Sequence, residues 1–198
     1  MSLDSFLALL GLAAVAAYTP GPNNALVANS GATFGLRRTL PHILGIGFGF
    51  PVMVFLVGFL LGGLFQSSAL LREALRWIGA AILLWLAWKI ATSGGVSSAG
   101  QKPRPFTFLE AAGFQWINPK AWAMAIAVTA QFIHPEAPLA TALMVGAVFV
   151  FMGLSSAATW ALVGRSIIRM LTDERHLKQF NIAMAIIVAG CVVLLFLE

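Results

Sequence analysis

The chain has 198 residues, of which 60% are hydrophobic and 10% charged, with a net charge of +5; an ordinary soluble domain is about 25% charged. So few charges cannot solvate a globular surface, and they cluster between long apolar runs, which excludes a soluble enzyme and points to a chain that lives in a bilayer. The basic excess is too thin and scattered for a nucleic-acid partner.

Six apolar runs follow one another, at residues 5–34, 43–65, 74–90, 109–132, 139–163 and 180–197. At about 1.5 Å per residue each is close to the length that crosses roughly 30 Å of hydrocarbon. The first has the short apolar core of a signal peptide, Phe6 to Ala17, with Ala14-Val15-Ala16 as a candidate cleavage site. However, Met1-Ser2-Leu3-Asp4 lacks the basic start such a peptide needs, so the run reads as a retained span. It is interrupted by TPGPNNA, residues 19–25. Glycines mark the next stretch: Gly31 and Gly35 stand four apart, as do Gly58 and Gly62, while Gly45, Gly47 and Gly49 alternate. Small residues at these spacings let helices approach closely within one subunit, and a homodimer through the same faces is the alternative.

Lys89 is next to last in the third run, and its charge can snorkel to the interface. Residues 93–108, containing GGVSSAGQKPRPF, are the longest polar, Gly- and Pro-containing connection. They divide the chain into halves at 1–92 and 109–198. The fourth run contains FQWINPKAW, residues 114–122, with Asn118-Pro119-Lys120 about 13 Å inside it at helical rise. A break in run one is therefore answered by a break in run four. Because each half has three runs, an odd number, the second half would enter the membrane upside down relative to the first. The expected fold is thus an all-α membrane protein of six transmembrane helices, built as two inverted three-helix repeats with helices one and four broken by proline.

Arg37, Arg38, Lys89, Lys102, Arg104, Arg165, Arg169, Arg175 and Lys178 fall on one side of that arrangement, and only Arg72 and Arg76 on the other. The positive-inside rule makes the first side cytoplasmic, with the linker 93–108, and both termini periplasmic.

Each proline strips backbone groups of their partners, and in hydrocarbon an unpaired group costs several kcal/mol, on the order of the transfer penalty of an amide. Such a break is tolerable only where protein, water or ligand restores the bonds. Asn23 or Asn24 can cap the half-helix after the first break, with Pro22 just before its first turn, and Asn118 can cap the one after the second, with Pro119 at a favourable first position. The half-helix N-termini present spare N–H groups and a positive dipole end to an anionic group such as a carboxylate. The candidate substrate-binding residues are Pro20, Gly21, Pro22, Asn23, Asn24, Asn118, Pro119 and Lys120. Lys120 lies too deep to snorkel and should face a cavity or a partner. Its bland role is to donate to the carbonyls freed by Pro119; its functional role is to attract the substrate.

The stretches YTPGPNNALVANSGATFGLRRTLPHILGIGFG and GFQWINPKAW resemble the lysine exporter (LysE/RhtB) family of small bacterial inner-membrane transporters, and the likeness extends over the whole chain in length, helix number and motif spacing. The resemblance implies export of amino acids or related metabolites driven by an ion gradient, with the proton as the expected coupling ion and no cofactor. Members that handle basic amino acids can carry an acidic residue in the glycine-containing start of helix two, where this chain reads HILGIGFGF. No Asp or Glu lies deep in any run, and Glu110 is near a helix end. A cationic side chain would find no buried carboxylate, so a neutral amino acid is expected.

Other classes fare less well. A membrane redox carrier needs paired thiols, and Cys191 is alone. His42, His134 and His176 fall at run ends, which argues against an intramembrane serine protease. A metal exporter of a related fold would want carboxylate, thiolate or histidine ligands at mid-depth, and none is visible. A non-transporting scaffold has no use for broken helices.

Overall fold

The computed structural model describes residues 2–58, 69–92, 104–134, 136–170 and 174–194, and every regular element among them is helical. Gly62, linker residues 93–103 and the last four residues lie outside the described residues, as do the side chains of Lys89, Pro119, His176 and Cys191.

Helix α1, Leu3–Tyr18, starts at Ser2, whose hydroxyl accepts from the Ser5 N–H at 3.2 Å. It stops because Thr19 precedes a proline and is extended. Helix α2, Pro22–Phe34, resumes with proline at its first position, bent by 55° from α1. At the other end Gly35 takes a φ of 75°, the left-handed conformation that glycine adopts without penalty, and helix α3, Leu36–Leu56, leaves directly from it. Helix α4 is Ala69–Thr92. The extended residues 104–107 lead into α5, Phe108–Phe114, through a capping box in which Thr107 and Glu110 satisfy each other's backbone N–H groups. A 3-10 turn, Gln115–Ile117, ends at the extended Asn118, and α6 is Pro119–Phe132. Helices α7, Pro138–Met170, and α8, Glu174–Leu194, complete the chain.

Two of these helices, over Leu36–Leu56 and Pro138–Ser166, are by themselves long and apolar enough to cross a membrane, and the bent pair α1 and α2 makes a third. Both interruptions expected from proline are present. The helical starts are less close to expectation. Helix α3 begins at Leu36, seven residues before the apolar run at residue 43, because an amphipathic entry turn carrying Arg37 and Arg38 continues the same backbone.

Helix α7 is the spine, packing on α1, α2, α3 and α6. Its contact with α2 is backbone to backbone: a Cβ on Gly31 would collide with the carbonyl of Ala161, and one on Gly164 with that of Ala28. Likewise Gly45 and Gly49 admit α5 through Phe108 and Ala112, and Gly47 admits Leu154 of α7. These glycines serve packing within the chain. Leu9, Phe50, Met53, Val128, Val145 and Phe149 form one core cluster, with Phe50 and Phe149 edge to face at 5.0 Å. The outside is apolar as well: Trp77, Trp85 and Trp88 of α4 and Leu143, Phe151 and Leu162 of α7 are exposed, a surface suited to lipid rather than water.

Candidate functional site

The two breaks meet around a cavity of about 60 Å³. At roughly 10–15 Å³ for each water-sized group it admits about four to six of them. Its lining includes Gly21, Asn23, Asn24, Asn118 and Lys120, so five of the eight candidate residues share one space. Pro20 and Pro22 are not among them: Pro20 is exposed and Pro22 is buried at the start of α2. Pro119 occupies the first position of α6, as expected. Ile46, Phe50, Met124 and Phe149 supply an apolar wall.

At the first break the polar groups are matched differently from expectation. No side chain caps the N-terminus of α2, which begins from Gly21, so neither Asn23 nor Asn24 takes the capping role assigned to it. Asn24 instead turns back and donates to the carbonyls of Ala17, at 3.0 Å, and Thr19, at 2.9 Å. It thus closes the end of α1 rather than the start of α2. A short polar side chain in the first turn of a helix can reach either way, and here Asn24 meets two carbonyls where α1 ends. Ser156 of α7 also donates to Ala17, at 2.7 Å, and Lys120 Nζ to Thr19, at 2.5 Å. The lysine thus reaches across to the opposite break. A Cβ on Gly21 would lie 3.0 Å from Lys120 Cδ, so a larger residue there would crowd the lysine.

The second break is closed as expected. Asn118, buried and extended, accepts from the Lys120 N–H at 3.1 Å and caps α6. Gln115, fully buried, donates to Ala111 at 2.9 Å and exchanges two hydrogen bonds with Asn23, at 2.9 and 3.3 Å. Asn23 thus ties one broken helix to the other.

Gln115 and Ser156 belong to the cavity, yet sequence reasoning passed over both. Gln115 was within reach of it, being a polar residue three positions before Asn118 in an apolar run; Ser156 carries no local signal. His42 is corrected as well. It lies in the second turn of α3, 1% exposed, with Nδ1 3.0 Å from the Ser30 hydroxyl and its ring stacked on Phe106 at 5.1 Å. It is a buried histidine beside a serine and not a residue at a helix end. Beyond it, Arg104 and Glu110 form a two-pronged exposed ion pair at 2.6 Å, and the Glu110 bond raises the Arg104 pKa further above its ordinary value. Among the described residues no three His, Cys, Asp or Glu side chains come together as metal ligands.

A chain whose described elements are all helical, with an apolar exterior, two broken helices and a small polar cavity where the breaks meet, has the architecture of a membrane transporter. The chain belongs to the LysE type translocators, whose family model matches residues 14–198. It is 32% identical over 184 residues to a cysteine/O-acetylserine efflux protein of Salmonella typhimurium (strain LT2), with 92% of each chain covered. It is 30% identical over 187 residues to the protein of that name from Escherichia coli (strain K12), again with 92% of each covered. No solved structure matches the chain. Translocators of this family are transporters and not enzymes, so the Ser30–His42 pair is not a catalytic dyad.

Proposed function

We propose that this chain exports small neutral amino acids, with cysteine and O-acetylserine as the first candidates, across the bacterial inner membrane in exchange for protons. The observation that carries this reading is the charge of the cavity: its lining holds Lys120 and no carboxylate. A substrate carboxylate placed beside Lys120 also meets the uncapped N-terminus of α2, where backbone N–H groups and the helix dipole both favour an anion. The ammonium of the same molecule is drawn by the negative dipole end of α1, whose Ala17 and Thr19 carbonyls each already accept two hydrogen bonds from the protein. One break thus offers both poles needed by a zwitterion. Nothing in the lining compensates a charged side chain, whereas Ile46, Phe50, Met124 and Phe149 accept an apolar one. The names of the two relatives agree with this choice of substrate.

In the same reading the chain crosses the membrane six times, as inverted halves 1–92 and 109–198 joined by a cytoplasmic linker, 93–108, with both termini periplasmic. Support comes from the position of the two breaks in helices one and four and from the cross-links Asn23–Gln115 and Thr19–Lys120 between them.

The direct test uses inside-out vesicles from cells that express the chain. With a proton gradient imposed they should accumulate labelled cysteine or O-acetylserine above vesicles lacking it. Accumulation of a divalent metal with no amino acid moved, out of a panel of neutral and basic ones, would overturn the proposal.

A further inference from the structure

We infer that His42 is the proton-binding group of this transporter and that Ser30 is its positioning partner. This rests on the exchange reading above and adds a second ionisable group to Lys120, which among the described residues is the only charged side chain in the cavity lining.

Among the described residues His42 is the one buried side chain of an ionisable type; the other buried polar ones are Asn24, Ser30, Thr39, Gln115, Asn118, Thr141 and Ser156. Its place is also that of a coupling group. On α3 it is one turn before Ile46 and two before Phe50, both of which line the cavity. At about 1.5 Å per residue the imidazole is thus roughly 6 Å along the helix from the cavity wall. On its other side Phe106 stacks against it, and past Phe106 the exposed Arg104–Glu110 pair meets the surface. A histidine at this point lies between the cavity and one end of the helix, with the Phe106 ring stacked against it.

The surroundings suit a group that must hold a proton in one state and give it up in another. Helix α2 presents Ser30, with no charged residue anywhere along its length. Helix α7 presents Ala157 and Ala161 within a stretch, 154–163, that is free of charge. Helix α5 carries Glu110, paired with the exposed Arg104, and on α3 itself Arg38 is one turn away. Neutral imidazole has one donating and one accepting nitrogen, and imidazolium has two donors. A hydroxyl can donate to Nδ1 or accept from it, so Ser30 keeps its bond in both charge states by turning one O–H.

Exchange follows from the sign of the charges. A proton that enters from the periplasmic side through the vacated cavity binds the imidazole and leaves to the cytoplasm when the Phe106 stack opens. The substrate then enters with its carboxylate on Lys120 and its ammonium facing no second cation. Imidazolium and ammonium repel across a low-dielectric gap, so each excludes the other. One proton moves inward for each zwitterion moved outward.

The test uses the full chain in proteoliposomes with labelled O-acetylserine. In counterflow, where labelled and unlabelled substrate exchange without a pH gradient, His42→Gln should stay within about twofold of the wild type, whereas gradient-driven accumulation should fall about tenfold or more, equivalent to roughly 1.4 kcal/mol. Gradient-driven accumulation by His42→Gln at the wild-type level would overturn the assignment. A variant that fails to fold is bypassed by replacing the other two histidines, His134→Gln and His176→Gln, and following the remaining labelled imidazole by NMR. It should change protonation on addition of substrate, and a ring that stays neutral from about pH 4 to pH 8, with substrate present or absent, refutes the role. Failure of the wild type to show any counterflow refutes the substrate reading instead, and that result is seen before any variant is made.

Discussion

Replacing Lys120 separates its two duties, because its ammonium both satisfies a backbone carbonyl and supplies the cavity's only charge among the described residues. In Lys120→Gln the amide can still donate to the Thr19 carbonyl, which Asn24 also serves at 2.9 Å. The first break therefore stays closed and the protein should fold. What disappears is the charge-assisted bond to a substrate carboxylate, worth about 1.5–3 kcal/mol. At about 1.4 kcal/mol per tenfold, the half-saturating substrate concentration in counterflow should rise roughly 10- to 100-fold. Lys120→Met removes both duties and should also lower the thermal midpoint, since Thr19 then loses its shorter bond. Asn118→Ala removes a cap and no charge; it should cost about 1 kcal/mol of stability and leave half-saturation near the wild-type value. The assays are counterflow in proteoliposomes and thermal unfolding in detergent. Wild-type half-saturation in a well-folded Lys120→Gln protein would refute a substrate role and leave the lysine as a fastener of α1.

Two further outcomes are expected. Gly164→Leu and Gly31→Leu would each drive a side chain into a backbone carbonyl across the α2–α7 contact, with no flexible neighbour to yield; both should abolish recovery of folded protein, while Gly146→Leu, with open space at its Cβ, should not. Reporter fusions at both termini should be active only in the periplasm, and one inserted within residues 93–103 only in the cytoplasm; reversed activity at the termini would contradict the inverted-half reading.

The breaks were readable from sequence because proline acts locally: Pro20, Pro22 and Pro119 end or begin a helix whatever surrounds them. Asn118 as a cap was readable for the same reason, since its acceptor bond spans only two residues. Asn23 and Asn24 were misread because their partners are distant, Gln115 in the other half and the end of α1 before the turn. Lys120 was correctly expected to face a cavity, but its carbonyl partner is 101 positions away, and no local rule selects Thr19 over the groups next to Pro119. His42 was misplaced because an apolar run marks where side chains turn greasy, which is seven residues after α3 begins. Ser156 was invisible in principle, one hydroxyl among several in a helix whose serines otherwise bond within their own turn, as Ser155 does to Met152.

The closure of the first break also bears on how the chain is made. Ala17 and Thr19 receive their bonds from Asn24, which emerges from the ribosome at once, but also from Lys120 and Ser156, which emerge long afterwards. Until the later helices enter, part of that carbonyl cluster has only water or lipid headgroups to turn to, at a cost of about 1–3 kcal/mol per bond left unmade. The first helix is thus held in an unfinished form while the rest of the chain is synthesised. A truncated product ending before α6 would expose that unfinished turn, which gives membrane quality control a mark by which to tell a complete transporter from a partial one.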